Sequence, residues 1–302
     1  MTEFYKMTRN CLKCEKSASI WLWFPLRFAL GAASETMLVM SETWLSHISD
    51  DRSRTTTLAI YTAALSLGFA LGPVILTLTG PHGLVPYLTG GGIALVALLS
   101  VAMPWMRSPV LGKPTHPGMT RYLALAPVAI GATLLNAALE TSGSSFLPLY
   151  AMQAGWTEHG ATLLLSVLLF GAIVLQIPIG WAADRLNPRR LVIGLSVASA
   201  IGALIWPAVI GYPSLAYGLL FLWGGVFVGI YTVMMGVIGS RFRGGDLVSV
   251  YSVISIAWGV GAFIGPGATG LAMDLTKHGL PYFAAFACAL FAVLPILRKK
   301  GA

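Results

Sequence analysis

A chain of 302 residues that is 56% hydrophobic and 10% charged carries more apolar surface than one core of that size can bury, because soluble domains run at about 45–50% apolar and about 25% charged. Its mean hydropathy of +0.78 points to helices solvated by lipid. The net charge of +8 lies in short gaps between apolar runs and forms no basic face, which argues against a nucleic-acid partner.

In chain order, residues 1–17 form a polar tail with Lys6, Arg9, Lys13 and Lys16. Its Cys11 and Cys14 have no second pair to complete a zinc site, and the tail is no clean signal peptide. Nine apolar segments follow, each near the length of about 20 residues that spans a bilayer: 18–46, 55–79, 83–105, 122–150, 159–183, 190–211, 213–239, 247–273 and 279–297. Short Gly/Pro breaks at Pro81-His82-Gly83 and Gly211-Tyr212-Pro213 predict tight connections between antiparallel helices. The polar, proline-rich stretch 106–121 predicts a linker between a first unit, 18–105, and a second, 122–302. The fold class is therefore an all-α integral membrane protein with about nine transmembrane helices.

Lys and Arg set the orientation. Arg52 and Arg54, then Arg107, Lys113 and Arg121, then Arg185, Arg189 and Arg190, then Arg241 and Arg243 occupy alternate gaps, and Arg298, Lys299 and Lys300 end the chain. Those gaps and the C-terminus are expected in the cytoplasm. The basic tail does not fit this alternation, because nine spans put it on the opposite side.

An internal repeat runs through the chain at a constant lag: Gly31 with Gly224, Gly68 with Gly261, Gly72 with Gly265, and Pro73 with Pro266. The second and eighth segments thus both carry GxxxGP, which permits close helix approach and places a proline in the span. Parallel repeats of this kind build many secondary transporters. With six spans per repeat, the first half here holds three, and its other three are expected upstream.

These pieces resemble the major facilitator superfamily. Gly180-Trp-Ala-Ala-Asp184-Arg185, followed by Arg189 and Arg190, resembles the family's charged turn between helices; Arg27 to Gly31 resembles the RxxxG of its fourth helix; the two GxxxGP stretches resemble its antiporter motif. The resemblance implies a bundle made of family helices 4–12. It also implies that Asp184 faces the start of the second span, at Thr55 to Thr57 beside Arg54, and latches the cytoplasmic end through charge against the helix dipole.

Ionisable groups at bilayer depth are costly and line cavities. At about 100° per residue, Arg27, Glu35 and Glu42 fall on one stripe of the first span. Glu42, near the span's end, is expected to pair with Arg52 or Arg54. Glu140, with Asn136 one turn away, sits in the fourth span. A carboxylate in a poorly hydrated cavity can cycle a proton, so Arg27, Glu35, Glu140 and Asn136 are the candidate coupling and cavity residues. Gln176 reads as a helix-packing residue, Trp223 and Tyr231 as packing or cavity aromatics, and Asp246 as a helix N-cap.

No GxxxxGK[ST] loop, HExxH pair or dense His/Cys cluster occurs, so no nucleotide, cofactor or metal is expected, and no enzyme. The sequence predicts a proton-coupled exporter of small organic molecules, working by alternating access in the bacterial inner membrane. The alternative is a truncated, non-transporting remnant or membrane accessory protein.

Overall fold

In lipid an apolar run of this length finds hydrogen-bond partners for its backbone only within itself, so helix is the default. The computed structural model describes residues 20–50, 53–79, 84–101 and 120–297, and every regular element among them is helical. The helices are α1 (Ile20–Ile48), α2 (Arg54–Thr79), α3 (Val85–Val101), α4 (Thr120–Leu125), α5 (Pro127–Gln153), α6 (Glu158–Ala183), α7 (Pro188–Val209), α8 (Pro213–Arg241), α9 (Gly245–Leu275) and α10 (Gly279–Leu297). Among the described residues, α6 to α10 are long and apolar enough to cross a membrane. The tail 1–17, Arg52, nearly all of the linker 106–121 and the C-terminal basic residues lie outside the described residues.

Two sequence expectations need correction. The fourth segment is not one helix: it breaks at Ala126, whose φ of −130° and ψ of 46° leave the helical region. Pro127 is the cause, since proline disfavours helical geometry in the residue before it. Asp246 is not an N-cap: Gly244, at φ 57°, precedes α9, and the Asp246 carboxylate instead accepts from the Tyr122 hydroxyl. Two other helix starts follow ordinary capping chemistry. Thr157 accepts from the Gly160 N–H before α6, and Asn187 accepts from the Arg190 N–H before α7, where Pro188 takes the first position.

Internal contacts divide the chain into Met1–Ser41 and Glu42–Ala302. In the first unit, most side chains of α1 from Leu26 onward are exposed. The second unit holds the end of α1 and all of α2 to α10.

Its central helix is α8, the most deeply buried of the spans α6 to α10. Glycines make this possible. A β-carbon on Gly171 would run into the Phe221 carbonyl, and one on Gly224 into the Leu168 carbonyl. Gly225 and Gly229 likewise receive the side chains of Leu175 and Ile179. Backbone therefore meets backbone along the α6–α8 seam, a geometry that small residues alone allow.

The α5–α9 seam is built similarly. A β-carbon on Gly261 would lie 2.5 Å from the Leu134 carbonyl oxygen, and one on Gly265 2.5 Å from Ala138 Cα. Pro266 cannot donate to the Ala262 carbonyl, and the Thr141 hydroxyl of α5 reaches that carbonyl at 3.5 Å. Thr269 donates to Ser142 at 2.9 Å further along the same seam. At α7 the Arg189 side chain donates to the Pro295 carbonyl at 2.8 Å and the Ile296 carbonyl at 3.1 Å, tying down the last turn of α10.

Candidate functional site

The first four N–H groups of a helix have no partner within it and carry the positive end of its dipole. At α2 those groups meet Asp184, the residue that caps the C-terminus of α6. Asp184 Oδ1 accepts from the Thr55 N–H at 3.0 Å, and Oδ2 accepts from the Thr56 N–H at 2.8 Å and the Thr56 hydroxyl at 2.6 Å. Gly180, one turn earlier, makes the approach possible: a β-carbon there would lie 2.7 Å from Ala59 Cβ. The arginines of the same turn point elsewhere. Arg185 lies over Trp181 at 3.9 Å, Arg189 reaches α10 as described, and Arg190 is exposed.

Beside this contact Arg54 is 3% exposed. It donates through Nε to the Ser46 carbonyl at 3.1 Å and through Nη2 to the Ser49 carbonyl at 3.0 Å, capping the C-terminus of α1. The α8 glycines make room for it, since a β-carbon on Gly239 would lie 2.6 Å from Arg54 Cδ. One turn further into α1, the Tyr231 hydroxyl donates to Glu42 Oε1 at 3.4 Å, and Ser46 Oγ shares a 2.7 Å hydrogen bond with the Tyr251 hydroxyl.

Glu140 and Asn136 occupy one face of α5, with Asn136 Nδ2 donating to Glu140 Oε2 at 3.2 Å. At about 100° per residue this face is turned away from Ala138, which packs on α9. Asn136 is buried, and among the described residues its Oδ1 finds no hydrogen-bond donor. Gln176, buried in α6, likewise has no donor to its Oε1 among the described residues. In the first unit Glu35 is exposed, and Arg27 lies on α1 with its side chain outside the described residues.

The two GxxxGP copies differ. Gly261 and Gly265 pack tightly on α5, whereas a β-carbon on Gly68 would meet nothing within 4 Å. Gly72 and Pro73 fall in α2 outside the described side chains. Trp223 is a packing residue: its Nε1 donates to the Ser199 carbonyl at 2.8 Å, and its ring meets Trp206 edge-on and lies tilted against Phe227. Among the described residues no cluster of three or more His, Cys, Asp or Glu could hold a metal ion.

Sequence reasoning missed two parts of this arrangement. The glycines of α8 serve α6 on one side and α2 on another, so they form no single spaced motif. The Tyr231–Glu42 contact joins residues 189 positions apart, and no local pattern announces it.

Residues 11–157 and 128–300 each match the Major Facilitator Superfamily. The MFS-type transporter YfkF of Bacillus subtilis is 26% identical over 263 residues, covering 85% of this chain and 67% of YfkF. The MFS-type transporter YcaD of Escherichia coli is 23% identical over 285 residues, covering 93% of this chain and 73% of YcaD. Among solved structures, the MFS transporter FucP in its outward conformation superposes with a TM-score of 0.70 at 15% identity, over 87% of this chain and 72% of FucP.

Proposed function

The chain belongs to the Major Facilitator Superfamily and is a multi-pass membrane transporter, and from that premise we propose that it exports small organic molecules by proton-coupled alternating access. The observation that carries this reading is the Asp184 carboxylate seated on the N-terminus of α2. Alternating access needs one end of the bundle held shut by a few polar contacts that can break and re-form. A charge against a helix terminus is such a contact: it is strong when dry and replaceable by water when open. In this reading the Asp184 end is cytoplasmic, as is the C-terminus, and the membrane is the bacterial inner membrane. Gly180 sets the approach, Arg185, Arg189 and Arg190 hold the turn on the cytoplasmic side, and residues 18–105 and 122–302 are the two moving parts, joined by 106–121.

Glu140 is the proposed proton carrier, with Asn136 as its donor; Arg27 and Glu35, in the first unit, are further proposed coupling residues. Asn136 can hold the charged carboxylate through Nδ2, and its free Oδ1 can accept from a substrate or from water. The fucose:proton symporter FucP has the same fold, and that analogy supports protons as the coupling ion. The sparsely polar interior favours amphipathic solutes, and the GxxxGP repeat, through its family resemblance, favours antiport.

The test uses everted membrane vesicles with acridine orange reporting an imposed pH gradient. Amphipathic organic amines and acids are added singly to vesicles holding the native chain and to vesicles holding Glu140→Gln. A transported compound collapses the gradient with the native chain and leaves it intact with the variant. Equal collapse in both removes Glu140 as the carrier. No collapse by any compound with the native chain counts against proton coupling itself.

A further inference from the structure

We propose that Glu42, positioned by the Tyr231 hydroxyl, is a second proton-exchanging carboxylate, placed between Glu140 and the Asp184 end of the bundle. The inference rests on the proton-coupled reading above.

The first support is the chemistry of the partner. A carboxylate that cycles its proton must be accommodated both charged and neutral. An arginine serves only the charged form. A phenol serves both, because its hydroxyl donates to a carboxylate and equally accepts from a carboxylic acid. Tyr231 donates to Glu42 Oε1 at 3.4 Å, a long bond that a small helix displacement can tighten or release.

The second support is the setting. Tyr231 of α8 donates to the Glu42 carboxylate of α1, and the Glu140 carboxylate of α5 also acts on it electrostatically. The groups near Glu42 include Tyr251 of α9, bonded to Ser46, and Tyr251 in turn lies near Arg54 and Tyr61 of α2. Arg54 directs two donors to the Ser46 and Ser49 carbonyls.

The third support is position. Ser46 lies one turn beyond Glu42, and Arg54 joins Ser46 to the helix whose next two residues hold Asp184. Release of Asp184 frees the helix end nearest Glu42, so water entering from that side meets Glu42 before it reaches Glu140. The proton then passes from Glu140 through cavity water to Glu42 and out, with no net charge left on Tyr231.

The full chain is reconstituted in lipid, and infrared difference spectra are recorded as the pH is stepped. This reads carboxylic-acid C=O bands directly and needs no substrate. With the pH stepped only between about 6 and about 9, where exposed carboxylates stay ionised, the expected native spectrum contains two titrating carboxyl bands. Glu140→Gln removes one and Glu42→Gln removes the other. Tyr231→Phe keeps the Glu42 band but moves it to higher frequency, because a hydrogen bond to the acid is lost; a merely structural tyrosine would leave it in place. If Glu42→Gln does not assemble, the Tyr231→Phe shift decides alone. Loss of a band with Glu140→Gln but none with Glu42→Gln, or an unmoved band in Tyr231→Phe, overturns this inference and leaves the proton-coupled reading standing. Absence of any titrating carboxyl band in the native chain overturns both.

Discussion

Gly236 of α8 lies so close against Thr55 of α2 that a β-carbon on the glycine would run into the threonine hydroxyl. Thr55 is also a residue whose N–H binds Asp184. Two helices therefore grip the same residue of α2, α6 through charge and α8 through the absence of a side chain. Gly236→Ala should push α2 outward and weaken both grips. Overpacking of this kind costs about 1–3 kcal/mol. The expected result is a lower thermal midpoint in detergent, whereas Gly259→Ala, where nothing lies within 4 Å, should leave it unchanged or raise it. Equal midpoints for Gly236→Ala and the native chain would contradict the close approach.

Asp184→Asn keeps the shape of the side chain and removes its charge. Hydrogen bonds to a charged group contribute about 1.5–3 kcal/mol when protected, and partial exposure of Asp184 places the loss toward the lower end. Ala63 is buried in α2 one turn beyond Ala59, so the substitution Ala63→Cys reports opening when Cys11, Cys14 and Cys288 are replaced. The labelling rate of the introduced thiol should rise roughly tenfold in Asp184→Asn, the equivalent of about 1.4 kcal/mol. Identical labelling in both forms would end the latch proposal.

The two GxxxGP copies predict opposite sensitivities at equivalent positions of the repeat. Gly261→Ala meets the Leu134 backbone of α5 and should destabilise by about 1–3 kcal/mol. Gly68→Ala meets open space and should be neutral or slightly stabilising, because alanine is the better helix former by about 1 kcal/mol. Denaturation of the two variants side by side measures the difference, and equal losses would refute the asymmetry.

Arg189 has a different task from the acid five residues before it. Its guanidinium satisfies the Pro295 and Ile296 carbonyls, which a lysine's single ammonium cannot span in the same fork. Both Arg189→Lys and Arg189→Ala should speed amide exchange in the last turn of α10, with alanine the stronger. Neither should raise thiol labelling when combined with Ala63→Cys. A rise in labelling would place Arg189 in the Asp184 contact after all.

Much of this was legible because lipid is a demanding solvent. A bilayer fixes the length of an apolar run, so segments 213–239 and 279–297 correspond closely to Pro213–Arg241 and Gly279–Leu297. Asp184 stood out because charge is scarce, and a cluster of charges in an apolar chain has few inexpensive explanations. The break at Ala126 was written in Pro127 but was masked by the apolar run on both sides. The setting of Glu42 was hidden for another reason. Its place on a helix stripe can be counted from sequence, whereas the identity of the helix facing that stripe depends on how the whole bundle closes.

The glycine seam between α6 and α8 has a mechanical consequence. Where carbonyls touch the neighbouring backbone there is no side chain to flex, so neither helix can slide along the other without Phe221 and Leu168 colliding with what they face. The two helices act as a single beam. That beam holds α2 at one spot through Asp184 and Gly236, so in the proposed cycle α2 would leave both contacts together.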